Sequence, residues 1–232
     1  MILILLSEYL IKKLIFILFI TNHIIFHYMN RFVPIDKLIE KLNIRDGVFI
    51  EVGANDGIIQ SNTLLLERCY GWTGILVEPS ENVYLQLCAN RPNSKCFQCA
   101  LGSFDENNTY VYGDFDGSAM SSIEGKRLNR SLNKRVLMRS LQSILDEENL
   151  HHINFFSLDV EGYEYNILRG IDFSKTIFDY LLIEIYNFDY EQICNFLLEQ
   201  GYDMVELFSL YDETMSDWDG THNDYLFKRR DL

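Results

Sequence analysis

The chain has 232 residues, of which 48% are hydrophobic and 23% are charged. These proportions are ordinary for a globular protein and exclude a disordered or collagen-like chain, and the length suits one domain of about 200 residues. The formal net charge of −14 argues against binding along a nucleic-acid backbone, which needs a basic surface. We therefore expect no nucleic-acid partner.

The N-terminal segment 1–30 is strongly apolar and is treated as a separate region. Lys12 and Lys13 precede its apolar core, as in a signal anchor that leaves its lysines in the cytoplasm. The core, residues 14–28, is shorter than the ~20 residues that span a bilayer. The prediction is membrane association through this segment as a signal anchor. The alternatives are a helix on the membrane surface, or an upstream extension of a cytoplasmic protein whose translation starts at Met29.

In residues 31–232, short apolar runs alternate with segments of helical periodicity, which is typical of a doubly wound α/β domain. The predicted helices are 32–42, 62–70, 82–90, 140–148, 163–168 and 190–199. The predicted core strands are 47–52, 74–77, 95–101, 153–158, 180–185, 202–207 and 224–228. Between the third and fourth strands, residues 109–112 and 135–137 are predicted to be extended, with a loop at 113–125.

A glycine-rich turn follows the first predicted strand, where open α/β sheets form a cofactor crevice. It reads Glu51-x-Gly53-x-Asn55-x-Gly57, and its glycines allow a tight turn and the close approach of a ligand. A dinucleotide site needs the pattern GxGxxG, and here Asn55 stands where the second glycine would be. Because Glu51 and Asp56 would repel a diphosphate, the turn favours a ligand with ammonium and sulfonium groups, such as S-adenosylmethionine. The alternative is a glycine turn that binds no ligand.

Glu78 closes the second predicted strand. A carboxylate there can accept hydrogen bonds from two ribose hydroxyls, as the acidic residue of dinucleotide-binding folds does. The alternative is an acidic residue near the positive end of the next helix dipole. Because the glycine turn lies upstream, we expect the ribose role.

A second acidic segment, Asp159-Val160-Glu161-Gly162 with Glu164, follows the fourth core strand. It is expected at the carboxyl edge of the sheet, where ligands bind in this architecture. Glu164 is expected to cap the following helix and complement its dipole. Asp159 and Glu161 are better placed for chemistry, because they flank the strand end and Gly162 leaves space beside them.

With these segments the chain resembles the FkbM-type methyltransferases. The matching segments are 49–57, 76–79, 100–102, 158–162 with Glu164, 168–170 and 182–185. Their order and spacing, over residues 45–228, are more specific than any single segment. The resemblance implies an α/β, Rossmann-like class I methyltransferase fold, with a seven-stranded, mostly parallel sheet, helices on both faces and an antiparallel last strand. It also implies S-adenosylmethionine as methyl donor and an oxygen, often a sugar hydroxyl, as acceptor.

The resemblance also implies roles for individual residues. The methionine end of the donor would lie against three residues of the glycine turn: Gly53, Asn55 and Gly57. Glu78 would bind the ribose, while Ala100 and Leu101 would lie near the adenine. Asp159 would face the methionine amine or the acceptor.

The chain departs from the family pattern at two positions. Many members have lysine at the position of Ser157 and aspartate at the position of Gln142. These changes leave donor binding intact. Because of them, however, the identity of the acceptor cannot be inferred from better-known bacterial members.

Methyl transfer to a hydroxyl needs in-line alignment and removal of the hydroxyl proton. Asp159 and Glu161 are the candidate bases, with Glu161 favoured if Asp159 contacts the cofactor. His222 is a third candidate, and its alternative is a packing or surface residue. A divalent ion could bind Asp159 and Glu161, but the sequence shows no complete ligand set, so we predict metal-independent activity.

The small and polar residues of 113–122 are expected to form an acceptor-binding loop over the active site, or else a plain surface connection. Together these features predict an S-adenosylmethionine-dependent O-methyltransferase acting on a sugar, a glycan or a related small molecule. The alternative is a catalytically inactive binding protein with the methyltransferase fold, displayed at a membrane. The sequence indicates no oligomeric state.

Overall fold

A computed structural model describes residues 32–116, 120–123, 130–132, 134–209, 211 and 218–232. The apolar segment 1–30 lies outside these residues, so the predicted anchor and the domain boundary beside it stay predictions. No helix in the described part of the chain is long and apolar enough to cross a membrane.

The described chain alternates strands and helices, as predicted. Its helices are α1 (Ile35–Leu42), α2 (Leu64–Tyr70), α3 (Glu81–Asn90), α4 (Leu141–Glu148), α5 (Glu164–Leu168) and α6 (Tyr190–Glu199). Its strands are β1 (Val48–Val52), β2 (Thr73–Val77), β3 (Lys95–Phe97), β4 (Ala100–Gly102), β5 (Thr109–Gly113), β6 (Lys134–Ser140), β7 (His152–Leu158), β8 (Ile177–Tyr186), β9 (Tyr202–Leu207) and β10 (His222–Arg229).

Seven strands form one sheet in the order β3-β2-β1-β7-β8-β10-β9. The first five strands of that order are parallel to one another, and β10 is antiparallel to both of its neighbours. Because strand side chains alternate between faces, Phe49 and Ile50 enter different hydrophobic cores. Helices α1, α2 and α3 pack on the Phe49 face, and α4, α5 and α6 pack on the Ile50 face. The predicted architecture, including the antiparallel last strand, is confirmed.

The prediction of one strand at 95–101 is wrong. Strand β3 belongs to the large sheet, whereas β4 pairs in parallel with β6 in a separate three-stranded sheet that also contains β5. The Glu78 N–H donates to the Phe97 carbonyl at 3.1 Å, and beyond this point the chain leaves β2. Apolar residues stand on both sides of the break, Cys96 and Phe97 before it and Cys99 to Leu101 after it, so the pattern could not show that the partner strand changes.

A buried arginine holds the loop between β1 and α2. The Arg91 side chain is 0% exposed, and its Nε donates to Glu67 Oε2 at 2.8 Å. Its Nη atoms donate to the Gly57 carbonyl at 3.1 Å, to Ser61 Oγ at 3.2 Å and to Thr63 Oγ1 at 3.1 Å. Helix α3, which ends beside Arg91, is thereby tied to the loop that follows the first strand.

We expect Arg91→Met to lower the free energy of unfolding by about 3–5 kcal/mol, because it leaves Glu67 and the loop carbonyl buried without their partner. Urea unfolding followed by circular dichroism measures this change. The matched control is Arg68→Met, since the exposed Arg68 makes a hydrogen bond to a backbone carbonyl at the surface, and it should cost less than about 1 kcal/mol. Equal losses in the two variants would contradict the role of Arg91.

Candidate active site

A cleft of about 840 Å³ opens at the carboxyl ends of β1, β2 and β7. Its position is the one where open α/β sheets bind ligands. Most of the predicted site residues line it: Glu51, Gly53, Asn55, Glu78, Ala100, Leu101, Asp159 and Glu161. Three predicted residues do not line it: Asp56, Gly57 and His222.

Gly53 is the point at which the ends of β1 and β7 meet. Its φ is +80°, and a Cβ at this position would overlap the carbonyl oxygen of Asp159. The Asp159 N–H donates to the Val52 carbonyl, and the N–H groups of Gly53 and Ala54 both donate to the Val77 carbonyl, each at 3.1 Å. Only glycine therefore allows the three strand ends to close on one another and form the floor of the cleft.

Asn55 and Glu78 connect the turn after β1 to the end of β2. The Asn55 N–H donates to Glu78 Oε2 at 3.2 Å, and the Ser80 N–H donates to Oε1 at 2.8 Å. Burial raises the pKa of Glu78 to about 7, against the lowering effect of these two hydrogen bonds. Each carboxylate oxygen has a further lone pair, so the held carboxylate can still accept hydrogen bonds from a ligand.

Glu51 is buried at the wall of the cleft, where its carboxylate holds the loop before α2. Its Oε1 accepts from the Asn62 N–H at 2.7 Å, and its Oε2 accepts from Ser61 Oγ at 2.8 Å and Thr63 Oγ1 at 2.6 Å. Arg91 Nη1 lies 3.8 Å from the same Oε2. These contacts make Glu51 an anchor of the loop, and its direct contact with a ligand stays a prediction.

The structure corrects the placement of Asp56 and Gly57. Asp56 Oδ1 accepts hydrogen bonds from two N–H groups further along the turn, at 2.9 and 2.8 Å, so this carboxylate stabilises the turn. Gly57 has φ +77°, and a Cβ there would overlap Leu87 and Arg91, so its lack of a side chain serves packing against α3. The sequence pattern identified the turn, but it could not show which of its residues face the ligand.

The opposite wall of the cleft comes from β4 and the loop after β5. Ala100 and Leu101 are buried and line the cleft, as predicted for the adenine side. Phe115 and Ser121, from the loop predicted to cover the site, line it as well. The described part of this loop therefore borders the cleft, whereas residues 117–119 lie outside the described chain.

Three carboxylates lie in a row across adjacent strands. Glu184 of β8 and Asp224 of β10 are direct partners in an antiparallel pair, so their side chains share one face of the sheet. Leu158 pairs with Ile183, which places Asp159, the next residue, beside Glu184. Neither Glu184 nor Asp224 was predicted as a site residue, although a carboxylate inside the otherwise apolar stretch around Glu184 was a usable signal.

The charge of this row is not balanced by basic side chains at the cleft. Burial raises the pKa of Asp224 to about 7, and burial together with repulsion from Asp159 raises the pKa of Glu184 well above its usual value. Desolvation and then the Glu161 carboxylate raise the pKa of Asp159, which lines the cleft with an exposed side chain. Among the described residues, no lysine or arginine lines the cleft. Its acidic wall therefore favours a positively charged ligand.

Glu161 lies between this cleft and a second cavity of about 710 Å³. Its φ of +61° is uncommon for a residue other than glycine, and its Oε2 accepts a hydrogen bond from the Tyr186 hydroxyl at 2.6 Å. Glu164 is buried and accepts from the N–H groups of Val160 at 3.0 Å and Gly162 at 3.2 Å. Glu164 thus stabilises the turn before α5, whereas the expected side-chain cap of the helix is not formed.

His222 lies behind the acidic row and lines neither cavity. Its Nε2 is 3.3 Å from Glu184 Oε1, and its ring packs beside the rings of Tyr186 and Tyr211, with centroids 5.2 and 5.4 Å away. His222 therefore borders neither cavity, and its role as a base stays a prediction. Its position at the start of β10, directly paired with Tyr186, buries it beside Glu184 instead.

The sheet order, the antiparallel β10 and the cleft at the ends of β1, β2 and β7 define a class I methyltransferase fold. The sequence model of the methyltransferase FkbM domain matches residues 51–204, and the chain belongs to this family. Methyltransferase 1 of Beauveria bassiana (strain ARSEF 2860) is 26% identical over 169 residues, which cover 62% of this chain and 67% of that protein.

Two solved structures show a more distant similarity. Precorrin-6y C5,15-methyltransferase from Geobacter metallireducens GS-15 has a TM-score of 0.48 and 10% identity, with 84% of this chain and 86% of that chain covered. Fibrillarin from Aeropyrum pernix, in complex with S-adenosyl-L-methionine, has a TM-score of 0.47 and 12% identity, with 79% and 67% covered.

The cleft fits S-adenosylmethionine, the donor used by this class of methyltransferase. Glu78 offers a positioned carboxylate for ribose hydroxyls, and the glycine at position 53 lets the strand ends close into the floor of the cleft. The acidic wall at Asp159 suits the ammonium and sulfonium groups. These are features of the chain itself and support the roles predicted from the sequence.

We expect the affinity for S-adenosylmethionine to fall as the pH drops below about 7, because Glu78 accepts ribose hydrogen bonds best when ionised. Because its pKa is about 7, we expect the full affinity above that pH. Below it, the affinity should fall by up to about tenfold per pH unit. Calorimetric titration at about pH 6, 7 and 8 measures this dependence.

Glu78→Gln should weaken binding by about 1–3 kcal/mol above pH 7 and flatten the pH dependence. Glu81→Gln, at an exposed position of α3, is the matched control and should behave as the unmodified chain. If Glu78→Gln kept the original pH dependence, the titration would have to be assigned to another group.

Proposed function

We propose that the chain transfers a methyl group from S-adenosylmethionine to a hydroxyl of a sugar, a glycan or a related small molecule. The observation that carries this proposal is the position of Glu161, which lines both the donor cleft and the second cavity. An acceptor bound in the second cavity would meet the donor beside this carboxylate. Ile123 also lines both cavities, so the two spaces adjoin on more than one side.

The second cavity has the surface that a sugar ring requires. Tyr163, Tyr186 and Phe188 line it, and Phe188 is 74% exposed although its ring packs 5.5 Å from that of Tyr186. Aromatic faces bind the C–H face of a sugar, while tyrosine and threonine hydroxyls exchange hydrogen bonds with its hydroxyls. Thr221 supplies a second kind of hydroxyl at the rim.

The chain has to align the acceptor hydroxyl with the methyl group of the donor and to remove one proton from that hydroxyl. The bound donor supplies an activated methyl group, which forms a bond to the acceptor oxygen as its carbon–sulfur bond breaks. Glu161 is the favoured base because it lies at the junction of the cavities and is held by Tyr186. Asp159, on the donor side, orients the positive end of the donor, and Glu161 accepts the hydroxyl proton during attack.

We expect Glu161→Gln to lower kcat by about 10²–10⁴-fold, the usual contribution of a general base, with little change in the affinity for the donor. The assay incubates the chain with methyl-labelled S-adenosylmethionine and separate pools of sugars, glycans, catechols and peptides, and follows label transfer. Glu191→Gln, on the exposed side of α6, is the control.

Label in the sugar or glycan pool, lost in Glu161→Gln, would support the proposal. Transfer only to catechols or peptides would refute the acceptor class. Donor binding without transfer to any pool would favour the inactive binding protein.

Phe188→Ala should raise the KM for a sugar acceptor by about tenfold, because about 1.4 kcal/mol of stacking is lost. The donor affinity and kcat should stay near those of the unmodified chain, since Phe188 lies outside the donor cleft. Leu198→Ala, at an exposed apolar position on α6, controls for loss of surface apolar area. An unchanged KM in Phe188→Ala would place the acceptor elsewhere.

A further inference from the structure

One buried carboxylate oxygen, close to Asp159 and Glu161, lacks a hydrogen-bond donor. Glu184 is 4% exposed, and its Oε2 is buried without a donor, whereas its Oε1 contacts His222 Nε2 at 3.3 Å. Leaving a buried acceptor unpaired is costly, more so when it is charged. One oxygen from each of Asp159, Glu161 and Glu184 lies within 4.8 Å of the others. Glu184, which carries the unpaired oxygen, is therefore a member of a convergent set of three carboxylates.

The donor cannot by itself balance the charge of these carboxylates when they are ionised. S-adenosylmethionine carries an ammonium and a sulfonium but also a carboxylate, so it brings about one net positive charge. The junction presents Asp159, Glu161 and Glu184, with Asp224 directly beside Glu184 on the neighbouring strand. Like charges on directly opposed positions destabilise a sheet. A further positive charge at the junction would compensate them.

We propose that Asp159, Glu161 and Glu184 form a binding site for one divalent cation, Mg²⁺ or Mn²⁺, between the donor cleft and the second cavity. Carboxylate oxygens are the ligands that these hard cations prefer, with waters or substrate oxygens completing the shell. His222 holds Glu184 through Oε1 and leaves Oε2 for the cation, as residues behind metal ligands commonly do. Tyr186 holds Glu161 in the same way through Oε2.

The role of the cation rests on the proposed function, whereas its binding does not. A cation held by Asp159, Glu161 and Glu184 would supply Lewis-acid chemistry that lowers the pKa of an acceptor hydroxyl, while a carboxylate oxygen that the cation leaves free would accept the proton. This proposal opposes the metal independence predicted from the sequence. That prediction was made because the sequence shows no complete ligand set. In the structure, the neighbouring strand β8 supplies Glu184 as a third ligand.

The test is a titration of the full 232-residue chain with Mn²⁺, followed by electron paramagnetic resonance in the absence of donor and acceptor. We expect one Mn²⁺ per chain, and an affinity at least about tenfold lower in Glu184→Gln and in Asp159→Asn. Glu199→Gln, an exposed carboxylate at the end of α6, should bind Mn²⁺ as the unmodified chain does. Circular dichroism shows whether each variant is folded. If Glu184→Gln does not fold, Asp159→Asn still tests the cation site.

Calorimetry with S-adenosylmethionine on the same samples separates this proposal from the proposed function. Donor binding together with Mn²⁺ binding that both variants lose supports the cation site. Donor binding with no Mn²⁺ binding overturns it, and then the carboxylates share protons or hold the donor's ammonium. Mn²⁺ binding without donor binding keeps the cation site and rejects the methyl-transfer proposal. Full methyl transfer in the presence of a chelator would also overturn the cation's role.

Discussion

The close approach of two strand ends determines the whole site. At Gly53 the backbone leaving β1 passes the carbonyl of Asp159 so closely that no side chain fits between them. This approach places the turn after β1 against the end of β7, and the N–H groups of the same turn bind the end of β2. Three strands thereby deliver their loops to one cleft, and Arg91 holds the outer side of the first loop in place.

The same convergence of strand ends also brings several carboxylates close together, which favours the binding of positive ligands. Asp159, Glu184 and Asp224 lie side by side because neighbouring strands put them at one level of the sheet. Desolvation raises the pKa values of all three carboxylates, and repulsion from neighbouring carboxylates raises those of Asp159 and Glu184 further. A cationic donor relieves part of this cost, and the proposed divalent cation would relieve more of it. Binding of positive ligands and stability of the sheet are therefore linked.

The sequence predicted the site reliably where the role of a segment depends only on the residues of that segment. The apolar run into Gly53, the acidic end of β2 at Glu78 and the acidic turn at Asp159 all line the cleft as expected. These predictions failed where the position of a segment depends on segments that are near it only in the folded structure. The run 95–101 divides between two sheets because its hydrogen-bonding partner changes. Gly57 faces α3 because the turn reverses its direction within a few residues.

The sequence by itself determined the order of strands and helices, the glycine turn and the two acidic strand ends, because each depends on residues close together in the chain. Only the tertiary structure decided that Glu184 joins Asp159 and Glu161, that His222 lies behind them, and that a second cavity adjoins the first. These relations depend on the pairing of β7, β8 and β10 and on their register. A shift by one residue would turn Glu184 to the other face, and no local pattern specifies that register.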